Sequence, residues 1–170
     1  MDLAISNPRN QSIGVIGTKA TVRSHVYRRY LAEKSPDRAV VEKATPLLVP
    51  LIEEGWHNNT LSREVIEAYM SDTGFADIQA LILGCTHYPL IRPHIREYFV
   101  RNRQEIDVID PSRAVAAAVR TQLASLGLLR EADASDAHQF YVSDYSQNFL
   151  SAASIFLDRP MTFDKVVLER

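Results

Sequence analysis

Ala80-Leu81-Ile82-Leu83-Gly84-Cys85-Thr86-His87-Tyr88-Pro89 decides the reading of this chain. Its first four residues are apolar without alternation, the pattern of a strand buried on both faces, and the polarity changes abruptly at Cys85. Runs of the same kind recur at residues 13–17, 39–41 and 106–109, then at 140–143 and, weakly, at 166–168. Between them the period becomes helical. Residues 21–32 place Val22, Val26, Tyr27, Tyr30 and Leu31 on one face, and residues 62–70 do so with Val65, Ile66, Tyr69 and Met70. Residues 113–126 and 146–157 continue the series, with Ser112 and Ser146 as N-caps. Strands alternating with helices imply an α/β fold, a parallel sheet flanked by helices.

Irregular pieces fall at residues 7–12, 55–60 and 131–137. We therefore divide the chain into a linker or truncated start at 1–12, an α/β domain at 13–110 and a C-terminal segment at 111–170. The last two strands lie beyond the acidic linker and are expected in a different sheet from the first four. The tail after residue 131 is expected to be mobile or held by another copy of the chain.

The whole is 170 residues with 19 basic and 21 acidic side chains, a net charge of −2. That balance supplies no field for nucleic acid or an anionic membrane. No apolar run reaches the roughly 20 residues of a membrane span, and the opening Met1-Asp2-Leu3-Ala4-Ile5-Ser6 lacks the basic start and long apolar stretch of a signal peptide. The expected location is the cytoplasm. One cysteine, Cys85, excludes an internal disulfide and any cysteine-rich metal site, and His25, His57, His94 and His138 show no ligand spacing, so no metal is expected.

In open parallel sheets ligands lie beyond the carboxyl ends of the strands, so the residues closing each run carry the chemistry. The first run ends Gly17-Thr18-Lys19-Ala20-Thr21, the third Gly84-Cys85-Thr86-His87 and the fourth Asp110-Pro111-Ser112, while Pro50-Leu51-Ile52-Glu53-Glu54-Gly55 follows the second. Thr18 and Thr21 flank a helix start, where backbone N–H groups attract an anion such as a carboxylate; the plain alternative is a helix cap. Cys85 stands at a strand-to-loop turn with His87 two residues on, an arrangement that lowers a thiol pKa. The plain alternative, a small buried hydrophobe, does not account for the polar company of Thr86 and His87. Glu53 and Glu54 read either as a solvated acidic pair or as a proton donor and partner for His87.

The segment Leu83-Gly84-Cys85-Thr86-His87-Tyr88-Pro89 resembles the second cysteine signature of the aspartate/glutamate racemases, a highly specific motif. Ile13-Gly14-Val15-Ile16-Gly17-Thr18-Lys19-Ala20-Thr21-Val22 is similar to the strand and turn opening that family's second domain, and Pro50-Leu51-Ile52-Glu53-Glu54-Gly55 to its acidic segment. Phe140-Tyr141-Val142-Ser143, Phe149 and Phe156-Leu157 resemble its C-terminal end. The likeness runs from about Ile13 onward and points to glutamate rather than aspartate racemase. It implies that Cys85 is the base for one enantiomer, supported by His87 with Glu53 nearby, and that Thr86, Thr18 and Thr21 hold substrate or order the site. It also implies two α/β domains with a cleft between them and D-glutamate made for peptidoglycan, hence cell wall and cell shape, without cofactor or metal.

Full-length members carry a further N-terminal half with an acidic-serine segment, a Tyr-Gly segment and an Asn-Thr motif behind a first cysteine, and we expect this chain to be a truncated, partial one without them. Thr45 stands where many relatives have a cysteine, a change expected to be neutral. Inverting a stereocentre by proton transfer needs a base on one face and an acid on the other, so one thiol is half a mechanism. A pyridoxal route would need a Schiff-base lysine, and Lys19, Lys34, Lys43 and Lys165 have no recognisable cofactor context. The expected partners are glutamate and either a second copy of the chain or a separate N-terminal domain, with the chain alone inactive. Two other readings stay open: an inactive remnant acting as a binding module, and a thiol enzyme of another type using Cys85 and His87.

Overall fold

The computed structural model describes residues 1–129, 139–144, 147–157, 159 and 161–167. A helix absent from the sequence reading, α1 (Asp2–Ser6), opens the chain and buries Ala4 against the sheet, with Asn10 Nδ2 donating to its carbonyl at 3.0 Å. Then follow β1 (Ser12–Gly17), α2 (Lys19–Ser24), α3 (Val26–Lys34), β2 (Ala39–Ala44), α4 (Leu48–Glu53), α5 (Thr60–Met70), β3 (Ala80–Gly84), α6 (Arg92–Arg101), β4 (Asp107–Ile109) and α7 (Ser112–Ser125). Beyond the linker lie β5 (Tyr141–Val142), α8 (Gln147–Leu157) and β6 (Asp164–Lys165).

The first four strands form one parallel sheet in the order β2-β1-β3-β4. The apolar runs predict this layout because both faces are covered. Leu81, Leu83 and Ile16 point into a core shared with α4, α5 and α6, while Ala80, Ile82, Ile13 and Val15 point to a second core under α1 and α3. Burying each large side chain of this kind stabilises the fold by about 1.5–3 kcal/mol. After β1 the chain leaves toward β2, and after β3 it leaves toward β4 on the opposite side. The order therefore reverses between β1 and β3, and a crevice opens beyond their carboxyl ends.

Three local expectations are corrected. The helix expected at residues 21–32 is two helices, broken at His25, which adopts the left-handed conformation at φ 50°. Such a backbone costs a non-glycine residue of order 1 kcal/mol or more. Here it brings His25 Nδ1 to 2.9 Å from Glu42 Oε2, whose carboxylate is almost wholly buried and also accepts from Arg28 Nε at 3.2 Å. Ser112 is the first residue of α7, not its cap; its backbone N–H donates to Asp110 Oδ1 at 2.9 Å. The helix expected from residue 62 begins at Thr60, because Asn59 and Ser62 form a reciprocal capping box.

In the tail, β5 and β6 lie in a separate sheet, as expected, and pair with each other in parallel. The second of these strands sits at residues 164–165, not 166–168; Val167 is exposed and Leu168 lies outside the described residues. So do the linker at 131–137, the cap assigned to Ser146, and His138. In the described part of the tail α8 packs on α4 of its own chain, and Phe163 joins the small sheet to the helix through ring contacts with Phe140 and Phe149. By contrast α7 buries none of its residues and leaves Val115, Val119 and Leu126 exposed along one stripe. Among the described residues no helix is long and apolar enough to cross a membrane.

Candidate active site

The carboxyl ends of β1 and β3 are in register, Gly17 opposite Gly84, so the residues that follow them meet at the crevice. Gly84 is required there: a Cβ on it would stand 2.7 Å from the Ile16 carbonyl oxygen of the neighbouring strand. The close approach sets Cys85 directly beside the end of β1.

Cys85 is partly buried, and its Sγ lies 3.8 Å from Nδ1 of His87. The other ring nitrogen, Nε2, is 3.0 Å from Glu53 Oε1. A carboxylate accepts, so Nε2 carries the proton in that bond and the lone pair of a neutral imidazole is left on Nδ1, facing the thiol. Glu53 ends α4, where the helix dipole disfavours a negative charge. Its contact with His87 gives the carboxylate a role in that unfavourable place.

The thiol pKa expected to fall is instead raised. Burial pushes it up first, the backbone N–H of His87 pulls it down, the Glu53 carboxylate pushes it up again, and the Thr86 N–H pulls it down. The helix-like turn supplies its donors as expected, but the low-dielectric surroundings outweigh them. Burial likewise raises Tyr27, with a further push from Cys85, and raises Tyr88 to about 12.

A cavity of about 480 Å³ opens onto Cys85 and Thr86, walled by Tyr27, Asp110, Ser112 and Val115. Thr86 thus shares the thiol's cavity. Thr18 and Thr21 stand at the neighbouring strand end, but as a cap: Thr18 Oγ1 accepts from the Thr21 backbone N–H at 3.2 Å, and the two hydroxyl oxygens are 2.9 Å apart. Among the described residues, no three His, Cys, Asp or Glu side chains group closely enough to hold a metal.

Sequence reasoning missed three contributors. Tyr27 walls the cavity from α3. Tyr88, fully buried, sets its hydroxyl 2.6 Å from Thr45 Oγ1, bracing the turn that carries Cys85 and His87. Phe156 reaches in from α8 and meets the His87 ring edge-to-face, with centroids 5.1 Å apart. Tyr88 had a signal, its place inside the cysteine motif; Phe156 had one in the likeness of Phe156-Leu157 to the family's C-terminal end, which did not tie it to His87.

Known proteins carry the same framework. Glutamate racemase of Neisseria meningitidis serogroup C is 36% identical over 158 residues, 93% of this chain and 57% of the relative. That of Chlorobium phaeobacteroides is 38% identical over 157 residues, 92% of this chain and 57% of the relative. The crystal structure of glutamate racemase from Francisella tularensis in complex with D-glutamate matches with a TM-score of 0.84 at 30% identity, covering 98% of this chain and 60% of that one. The chain therefore spans under two thirds of the length of these relatives. The Asp/Glu/Hydantoin racemase profile matches residues 2–119. That range holds the complete four-stranded sheet together with Cys85, His87 and Glu53, and this chain belongs to the Asp/Glu/hydantoin racemase family.

Proposed function

We propose that this chain supplies one of the two proton-transferring thiols of a glutamate racemase, the peptidoglycan precursor enzyme of its relatives. The observation that carries the proposal is the line Cys85–His87–Glu53 at the strand end facing the cavity. In this reading the Cys85 thiol passes its proton to Nδ1 of His87, and the resulting imidazolium is held by Glu53. The thiolate then removes the proton from the α-carbon of glutamate, and an acid on the opposite face delivers another. Thr86 and the Thr18–Thr21 pair bind or orient the substrate carboxylates through hydroxyl and backbone N–H groups. In the reverse direction Cys85 donates. Tyr27 and Val115 limit water around the thiol, which keeps the proton exchange on the substrate.

The opposite acid comes from outside these 170 residues, since Cys85 is the only cysteine among them. The bare apolar stripe of α7, beside the cavity, is the surface on which that complement docks. The test is a coupled assay for D-glutamate with the purified chain, alone and mixed with the part of the Neisseria meningitidis relative outside the matched region. We expect no useful turnover alone, turnover in the mixture, and loss of it with Cys85→Ala. Robust turnover by the chain alone would overturn the two-base argument. The same stripe favours a second reading, a binding remnant without catalysis; a mixture that associates but never turns over selects it.

A further inference from the structure

We propose that Phe156, carried by the C-terminal helix α8, is a positioning residue that holds the His87 imidazole between Cys85 and Glu53. The inference rests on the proposed role of that line of residues. Its geometric basis is the edge-to-face contact of the two rings, at 5.1 Å and 88°, together with the packing of α8 on α4, the helix that ends in Glu53. One segment therefore presses on both the imidazole and the element bearing its carboxylate.

The need for such a brace follows from the other contacts. The terminal torsion of a histidine is broad and roughly two-fold, so the ring turns easily unless something outside it resists. At the Nδ1 end the partner among the described residues is the sulfur, at 3.8 Å, a long and weak contact. At the Nε2 end Glu53 bonds at 3.0 Å, but its side chain is more than half exposed and water competes for it. Edge-to-face rings have a preferred geometry, and the perpendicular Phe156 ring opposes rotation of His87 out of the Cys85–Glu53 line. Residues 111–170 thus contribute to the site as well as to the fold.

The two roles open to Phe156 differ in sign. If it aligns His87, removing it takes the imidazole away from the thiol, and the thiolate becomes harder to form. If it merely buries the thiol, removing it admits water, and the thiolate becomes easier to form. The other titratable groups coupled to the thiol are Glu53 on α4, Tyr27 on α3 and Tyr88 in the turn, and none of them is substituted in these variants.

The experiment is the iodoacetamide alkylation rate of Cys85 against pH in the full chain, which needs no turnover and so is independent of whether racemisation succeeds. For Phe156→Ala we expect the midpoint to rise by about half a pH unit, about threefold less thiolate at neutral pH. Phe156→Tyr should keep the original midpoint, and in a His87→Asn background Phe156→Ala should add nothing. If Phe156→Ala does not fold, Phe156→Leu, which keeps the volume on α4 but not the ring, should show the same rise. A midpoint that falls or stays fixed in the folded variant, or a rise that persists without His87, overturns the proposal.

Discussion

Replacing Tyr88 with phenylalanine deletes a single oxygen at the place where three strand ends are tied together. The Tyr88 hydroxyl is 2.6 Å from Thr45 Oγ1, just past β2, and Thr45 Oγ1 is itself 3.4 Å from the Gly17 carbonyl that closes β1. Thr45 also donates its backbone N–H to Gly17 O at 2.9 Å. Both side chains are fully buried, so no water replaces a lost partner. Losing the bond removes about 1 kcal/mol, and the deserted Thr45 hydroxyl adds a penalty, which the long Gly17 contact partly offsets. We therefore expect a destabilisation of about 1–2 kcal/mol, or about 2–8 °C in melting temperature for a chain of this length. Thermal unfolding followed by circular dichroism measures it. The double variant Tyr88→Phe with Thr45→Val, which removes both hydroxyls while keeping their shapes, should recover part of the loss. If the single change left the melting temperature within experimental error, or if the two losses simply added, the hydroxyl pair would not be the brace described.

Gly84→Ala forces a methyl to within 2.7 Å of the Ile16 carbonyl and should cost about 1–3 kcal/mol, read as a lower denaturant midpoint; a neutral result would mean the strands part freely beside Cys85. Asn59→Ala removes the capping box of α5 and should cost about 1 kcal/mol in the same assay, with Ser62→Ala showing strong non-additivity with it. The Cys85 thiol pKa is raised by folding, so its contribution to stability is fully present below the unfolded value of about 8.5 and is lost as pH rises through the higher folded value. The stability difference between the chain and Cys85→Ala should accordingly shrink from pH 8 upward, and a difference that stays level or grows would contradict the raised pKa.

What the sequence reveals depends on whether the cause of a feature is local. The strands of the main sheet were legible because each holds an apolar run, unbroken in the central β1 and β3 and interrupted by Glu42 and Lys43 in β2 and by Asp107 in β4, and their polar ends were legible because Thr18, Cys85 and Asp110 close such runs. Glu53 was legible as a candidate through its place after an apolar stretch, though only the structure brings it to His87. The break at His25 was invisible, because the helical period runs straight through it; the partner His25 meets there is Glu42, a buried carboxylate on the next strand. The misplaced last strand has the same origin. Val166 and Val167 are the apolar residues, but pairing with Tyr141 and Val142 falls on Asp164 and Lys165, which no apolar pattern marks.

The thiol shows the same division within one residue. The groups adjacent in sequence, the Thr86 and His87 N–H donors, lower its pKa, and they are all that a linear reading can add up. The groups that raise it, the enclosing core and the Glu53 carboxylate, arrive only through folding. A strand-end cysteine read from sequence is thus biased toward too acidic a thiol whenever the site is dry. For the racemase reading this bias has a chemical consequence: a thiol raised by burial stays mostly protonated at neutral pH, ready to act as the acid, and needs His87 to become the base. The alignment of His87, and with it Phe156, then matters more in the direction where Cys85 removes a proton than in the direction where it donates one.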